Sequence, residues 1–243
     1  MIVFKTGTLT AAMPFDRFVG VEIEVEKGPK PGVSPNPWPF VKLPLGFIKK
    51  SDVSLRCQNG LEVNTPACKG RALTTAVNTV CKELKRNKYQ TDRCCGLHIH
   101  LDMRPERKKN EIFANLTYLA YAIEDILTAM LNPYRHHTSY GQPMRKSCLL
   151  KTVSLNKKNG NASGSSCLAN KFEKYGTIEV RYHHSTLDPK EILNWIYLWN
   201  LLLDYAKVYK DEDIALLLKI QDKKEKLLVM EKLIPLPKKM VNY

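Results

Sequence analysis

Three runs of strict alternation constrain what this chain can fold into. Gly20-Val21-Glu22-Ile23-Glu24-Val25-Glu26 interleaves acids with β-branched residues. Gly96-Leu97-His98-Ile99-His100-Leu101-Asp102 interleaves imidazoles with aliphatics, and Thr177-Ile178-Glu179-Val180-Arg181-Tyr182 sets a Glu and an Arg two apart. Side chains on a strand point to opposite faces with period two, so each run reads as a half-buried strand with its polar set on one side. Gly20 allows close backbone approach beside Glu22 and Glu24. Three such strands predict a sheet with one face in the core and the other bearing a site. Carboxylates crowded onto one surface repel, and a divalent cation holds them together. His98 and His100 are placed to chelate a metal or meet a phosphate. In His136-His137 and His183-His184 extended backbone sends adjacent rings apart, so at most one of each pair faces the site.

The remaining pattern supplies helices and loops. Residues 28–46 carry six of the 14 prolines and read as a long loop or lid. Residues 52–55 and 60–63 read as short strands around a Gln58-Asn59-Gly60 turn, with Glu62 on the second. Leu73, Val77, Val80, Cys81 and Leu84 mark an amphipathic helix over 70–88. One long helix is expected over 106–131, stopped by Asn132-Pro133. A polar loop follows at 134–146, then a strand over 148–155 and a Gly/Ser/Asn-rich loop at 156–166. Asp188-Pro189-Lys190-Glu191 starts the next helix in capping-box fashion, and 211–233 reads as a charged helical tail. Strands joined by short turns, with helices between, predict an α+β fold rich in antiparallel pairing, its helices on one face.

Composition narrows the partners. The 38 Lys and Arg exceed the 24 Asp and Glu, a net charge of +14, which attracts polyanions and anionic small molecules such as nucleotides. Arg135, Arg145, Lys146 and Lys171 flank loops near the Glu179 strand and resemble a phosphate clamp. Seven cysteines without a Cys-x-x-Cys pair argue against a disulfide framework or a zinc ribbon. They read as reduced core thiols, with Cys94 or Cys95 a minor candidate nucleophile. No charged-then-apolar leader opens the chain, and no apolar run approaches the roughly 20 residues that cross a bilayer, so the expectation is a cytoplasmic protein without membrane contact. A P-loop, a Gly-x-Gly-x-x-Gly turn and a Gly-x-Ser-x-Gly elbow are all absent.

Taken in order, the motifs resemble a known family. Gly20-Val21-Glu22-Ile23-Glu24 precedes Asp52…Gly60-Leu61-Glu62-Val63…Thr65-Pro66; Cys95-Gly96-Leu97-His98-Ile99-His100 follows; Gly176-Thr177-Ile178-Glu179-Val180-Arg181 comes last, with Thr186-Leu187 and a Trp-bearing helix. Over residues 18–205 this is similar to the amidoligases, ATP-dependent carboxylate–amine ligases of the glutamine synthetase and glutamate–cysteine ligase superfamily. The resemblance implies a curved antiparallel sheet of the glutamine-synthetase catalytic-domain type for the domain 1–205; residues 206–243 lie outside it and read as a charged helical extension packed on the same domain. It implies metal ligation by Glu22, Glu24, Glu62, His100 and Glu179. It implies nucleotide binding by His98, His100, Arg135, Tyr140 and Arg181, to which the basic cluster adds Lys171, and catalysis by Arg181, Glu62 and Arg135. ATP and magnesium, with manganese as the alternative ion, are the implied cofactors. Two departures stand out: the family's last strand reads Glu-Phe-Arg with a following Gly-Thr, where this chain has Val180 and Ser185-Thr186. Asp52 is a further acid near the turn.

The residues fit that chemistry on their own terms. A carboxylate oxygen is a poor leaving group, so amide formation needs an acyl phosphate, charge neutralisation at the transferring phosphoryl group and a base for the amine. The implied partners are ATP, an amino acid or other amine, and a carboxylate acceptor. The basic charge points to an anionic macromolecule as acceptor, such as modified nucleic acid in a phage-like setting. Two rival readings remain: a basic nucleic-acid-binding module with structural acids, and a metal-dependent hydrolase acting without ATP.

Overall fold

The computed structural model describes residues 16–27, 42–50, 60–106, 111–131, 143–144 and 167–234. The sequence-derived strands at 52–55 and 148–155 lie outside these residues, as do His136, His137, residues 28–41 of the expected loop at 28–46, and all of the expected loop at 134–146 except 143–144. Among the described residues, seven strands form one antiparallel sheet. They are β1 (Val19–Lys27), β2 (Ile48–Lys50), β3 (Leu61–Asn64), β4 (Tyr89–Gln90), β5 (Gly96–Asp102), β6 (Leu168–Lys171) and β7 (Thr177–His184). The order is β2-β3-β1-β5-β7-β6, with β4 pairing to β1 beyond β5. The fold is α+β, as the alternating patterns require.

The apolar halves of the alternating runs make the core. Val19, Val21, Ile23 and Val25 of β1, Leu97, Ile99 and Leu101 of β5, and Ile178 and Val180 of β7 are all essentially inaccessible to water. They join one cluster with Leu73, Val77 and Leu84 of α1 (Gly70–Arg86) and with Ile112, Leu116 and Leu119 of α2 (Glu111–Ala122). The short helices α3 (Glu124–Ala129) and α4 (Phe172–Tyr175) precede α5 (Pro189–Ala206), which presents Trp195, Trp199 and Leu202 to the same cluster. Trp199 stacks on Tyr182 with ring centroids 5.7 Å apart, joining helix to sheet through two large buried rings.

Two expected helices are each divided. A single turn is described at Arg104–Glu106, and the expected helix over 106–131 breaks at Ile123 between α2 and α3. The cause is a buried cation. Ile126 donates to the Ile123 carbonyl rather than one residue earlier, and the Ala122 carbonyl accepts instead from Lys226 Nζ at 3.2 Å. Lys226 also meets both oxygens of Asp125 at 3.0 Å, so its charge is paired. The tail is α6 (Asp211–Lys219) and α7 (Lys223–Leu233), parted at Asp222, whose side chain accepts from Glu225 N at 2.8 Å. Asp222-x-x-Glu225 is an N-cap signal that the charge pattern of the tail conceals. Ile214, Leu217, Leu227 and Met230 of these helices belong to the common core.

Candidate active site

The polar halves of the same strands converge on the opposite face of the sheet. Antiparallel register sets Glu24 beside Glu62, Glu22 beside His98, and His100 beside Glu179. Crossing β3, β1, β5 and β7, the face therefore reads acid, acid, imidazole, acid. Glu24, Glu62, His98 and Glu179 are each about 2–3% exposed, a degree of burial that ionisable groups reach only with partners.

His98 is the hub. Its Nδ1 lies 3.2 Å from Glu22 Oε2 and 3.6 Å from Glu179 Oε1, and its Nε2 lies 3.7 Å from Glu24 Oε1. Ligand atoms of Glu22, His98 and Glu179 all fall within 4.8 Å of one another. His100 sits beside this group with Nε2 3.2 Å from Glu22 Oε1, its Nδ1 held 3.1 Å from Thr177 Oγ1. Glu24 is fixed by the backbone, accepting from Gly96 N at 2.6 Å.

Cations approach from both edges. Arg181 donates to Glu179 Oε1 at 2.7 Å, and Lys171 Nζ lies 3.6 Å from Glu179 Oε2. On the other side Lys50 pairs with Glu62 at 2.7 Å. Of the residues implied by the resemblance, Glu22, Glu24, Glu62, His98, His100, Lys171, Glu179 and Arg181 share this face. Arg135 and Tyr140, with Arg145, Lys146 and Asp52, lie outside the described residues. Cys95 is buried and its thiol is pushed up by that burial, which removes it as a nucleophile.

Three residues of the face escaped the pattern reading. Asn64 donates to Glu22 Oε1 at 2.9 Å, and its position two after Glu62 on the same strand is the signal for it. Thr177 orients His100, and it too falls two residues before Glu179. Lys50 has no such mark, because Lys49 and Lys50 are adjacent and only pairing with β3 decides which one faces Glu62.

Glu22 shows how strongly the face is coupled. Burial raises its pKa, but hydrogen bonds and charge from His100 and His98 outweigh that and hold it well below the ordinary 4.5. A depressed folded value stabilises the fold in full above about pH 4.5 and loses that contribution as pH falls through the folded value. Glu22→Gln is therefore expected to flatten the loss of stability below pH 4.5, read as denaturation midpoints across a pH series. An unchanged slope would mean that the pairing contributes nothing.

Fold and site together define an α+β protein with buried acids, imidazoles and an arginine gathered on one face of an antiparallel sheet. A family model described as "Putative amidoligase enzyme" matches residues 47–203, and the chain belongs to this amidoligase family. The family's name denotes a ligase. The match begins after β1, so Glu22 and Glu24 lie outside it and join it through sheet register alone. No curated protein matches the chain. Among the described residues no helix is long and apolar enough to cross a membrane.

Proposed function

We propose that the protein is an ATP- and magnesium-dependent carboxylate–amine ligase working through an acyl phosphate, on a sheet of the glutamine-synthetase type. The observation that carries this reading is the convergence of Glu22, Glu24 and Glu179 on His98, with Arg181 against Glu179. The donor set suits a divalent cation: Glu179 Oε2, with Lys171 3.6 Å away, and His98 Nε2, with Glu24 3.7 Å away, are buried without a hydrogen-bond partner among the described residues. Carboxylates suit magnesium, and the imidazoles leave room for manganese. The bound ion would neutralise phosphate charge and align the nucleotide.

This chain's own groups then divide the work. A substrate carboxylate oxygen attacks the γ-phosphorus, a new P–O bond forms, the β–γ bridging bond breaks and ADP leaves. Arg181, with its planar fork, stabilises charge on the equatorial oxygens during that transfer. Lys50 and Lys171 are partly exposed and reach the site on flexible stems from flanking strands, so both can move toward phosphate as carboxylates turn to the ion. The amine attacks the acyl carbon, the C–O bond to phosphate breaks, and Glu62 accepts the amine proton. A cytoplasmic setting and an anionic macromolecular acceptor remain part of the proposal, in keeping with the net charge of +14.

The test is ADP release with ATP and magnesium across a panel of amines and carboxylates. ADP formation that requires both co-substrates, with an amide product by mass, is expected. Bond cleavage without ATP would favour a hydrolase. Nucleic-acid binding with no nucleotide turnover would favour a binding module.

A further inference from the structure

The end of β7 carries a second group of ligating side chains on the helix-packed side of the sheet. The sequence pattern sends His183 and His184 apart, but the structure brings them together. Register shifts between the Leu97–His183 and Ile99–Val180 pairs, so β7 bulges by one residue. The bulge turns His183 toward α5, where its ring meets Trp195 at 4.9 Å, and leaves the two imidazoles stacked with centroids 4.5 Å apart. Both then face Glu191 in the first turn of α5. His183 Nε2 lies 3.6 Å and His184 Nε2 3.5 Å from the same oxygen, Glu191 Oε1.

The surrounding bonds orient all three groups. His183 Nδ1 lies 2.5 Å from the His184 carbonyl, which can only accept, so Nδ1 carries the proton and Nε2 of the neutral ring keeps its lone pair. Thr186 Oγ1 donates to Glu191 Oε2 at 2.6 Å, which leaves Oε1 turned to the imidazoles. Glu191 thus does not close the expected capping box. Asp188 caps α5 through Lys190 N, and the Asp188 N–H goes to Thr186.

We propose that His183, His184 and Glu191 form a metal site separate from the acidic face, taking zinc or a similar borderline-soft divalent ion. Two imidazole nitrogens and one carboxylate oxygen are the donors such ions prefer, whereas magnesium favours oxygen throughout. The ligand atoms lie within 4.8 Å of one another. Tetrahedral ligands at bonds of about 2.0–2.1 Å lie about 3.3 Å apart, so the observed 3.5 and 3.6 Å need only a small contraction. Glu191 and His184 are partly exposed, which gives an entry path and a water for the fourth position. The ion would tie the end of β7 to the start of α5.

The test uses full-length protein stripped with chelator and titrated with Zn2+ alone or Co2+ alone. Cobalt is followed by visible absorption and by quenching of tryptophan emission from Trp195. One ion per chain is expected at this site. Thr186→Val should weaken it roughly 10- to 100-fold by freeing the carboxylate, and His184→Gln should weaken it further. Glu179→Gln, on the other face, should leave it intact. In the Glu179→Gln background, which disables the ion site of the acidic face, zinc should still raise the melting temperature, and adding His184→Gln should abolish that rise. Equal affinity in wild type and His184→Gln, loss of the ion in Glu179→Gln, or no binding to wild type would each overturn the proposal. If His184→Gln does not fold, Glu191→Gln is read in the same way.

Discussion

Arg181→Lys should lower turnover by roughly 100- to 1,000-fold while nucleotide affinity changes only a few-fold. The guanidinium approaches Glu179 through Nη1 at 2.7 Å, so one limb of the fork is anchored and the rest is set by a rigid plane. A lysine keeps the charge but offers a point donor on a flexible stem, with nothing to hold it against Glu179 and a transferring phosphoryl group together. Interactions made mainly in the transition state appear in turnover rather than in ground-state binding. Single-turnover ADP formation and equilibrium nucleotide binding separate the two. Near-wild-type turnover in Arg181→Lys would remove Arg181 from phosphoryl transfer and leave it as a structural partner of Glu179.

The site was largely legible because its elements are short and strictly alternating. Period two alone puts Glu22 with Glu24, His98 with His100 and Glu179 with Arg181 on common faces. What it cannot give is register. Nothing local to β1 or β5 says that Glu22 rather than Glu24 lies beside His98, and that pairing makes His98 the centre and His100 its neighbour. The β7 bulge was illegible for the same reason. It is a mismatch between two strands, and it turned an expected divergence of His183 and His184 into a stacked pair. Helix breaks depended on partners remote in sequence. The division at Ile123 is made by Lys226, about a hundred residues downstream, and no periodicity in 106–131 encodes it. By contrast the Asp222 cap was written locally and was obscured only by the surrounding charges.

Among the described residues the face carries four carboxylates against the cations Lys50, Lys171 and Arg181, which makes Glu179→Gln a highly discriminating substitution. Glutamine matches the shape and keeps one oxygen for Arg181, so the variant should fold. It removes one of the mutually repelling carboxylates while its amide oxygen still accepts from Arg181, so its metal-free stability should stay close to wild type. Ligand linkage should separate the two. A metal–nucleotide complex at 100 times its Kd adds about 2.7 kcal/mol to a protein that binds it only when folded. For a chain of this size that is a rise of roughly 5–10 °C in melting temperature. Wild type should show the rise with manganese or magnesium plus a non-hydrolysable ATP analogue, and Glu179→Gln should not. Turnover should fall by at least about 1,000-fold, since ion and phosphate both lose their anchor. A full thermal response in Glu179→Gln would place the ion elsewhere and leave the Glu22, Glu24 and His98 group as a structural network. Loss of stability already in metal-free buffer would assign Glu179 to the fold, with Arg181 and Lys171 as its counter-charges.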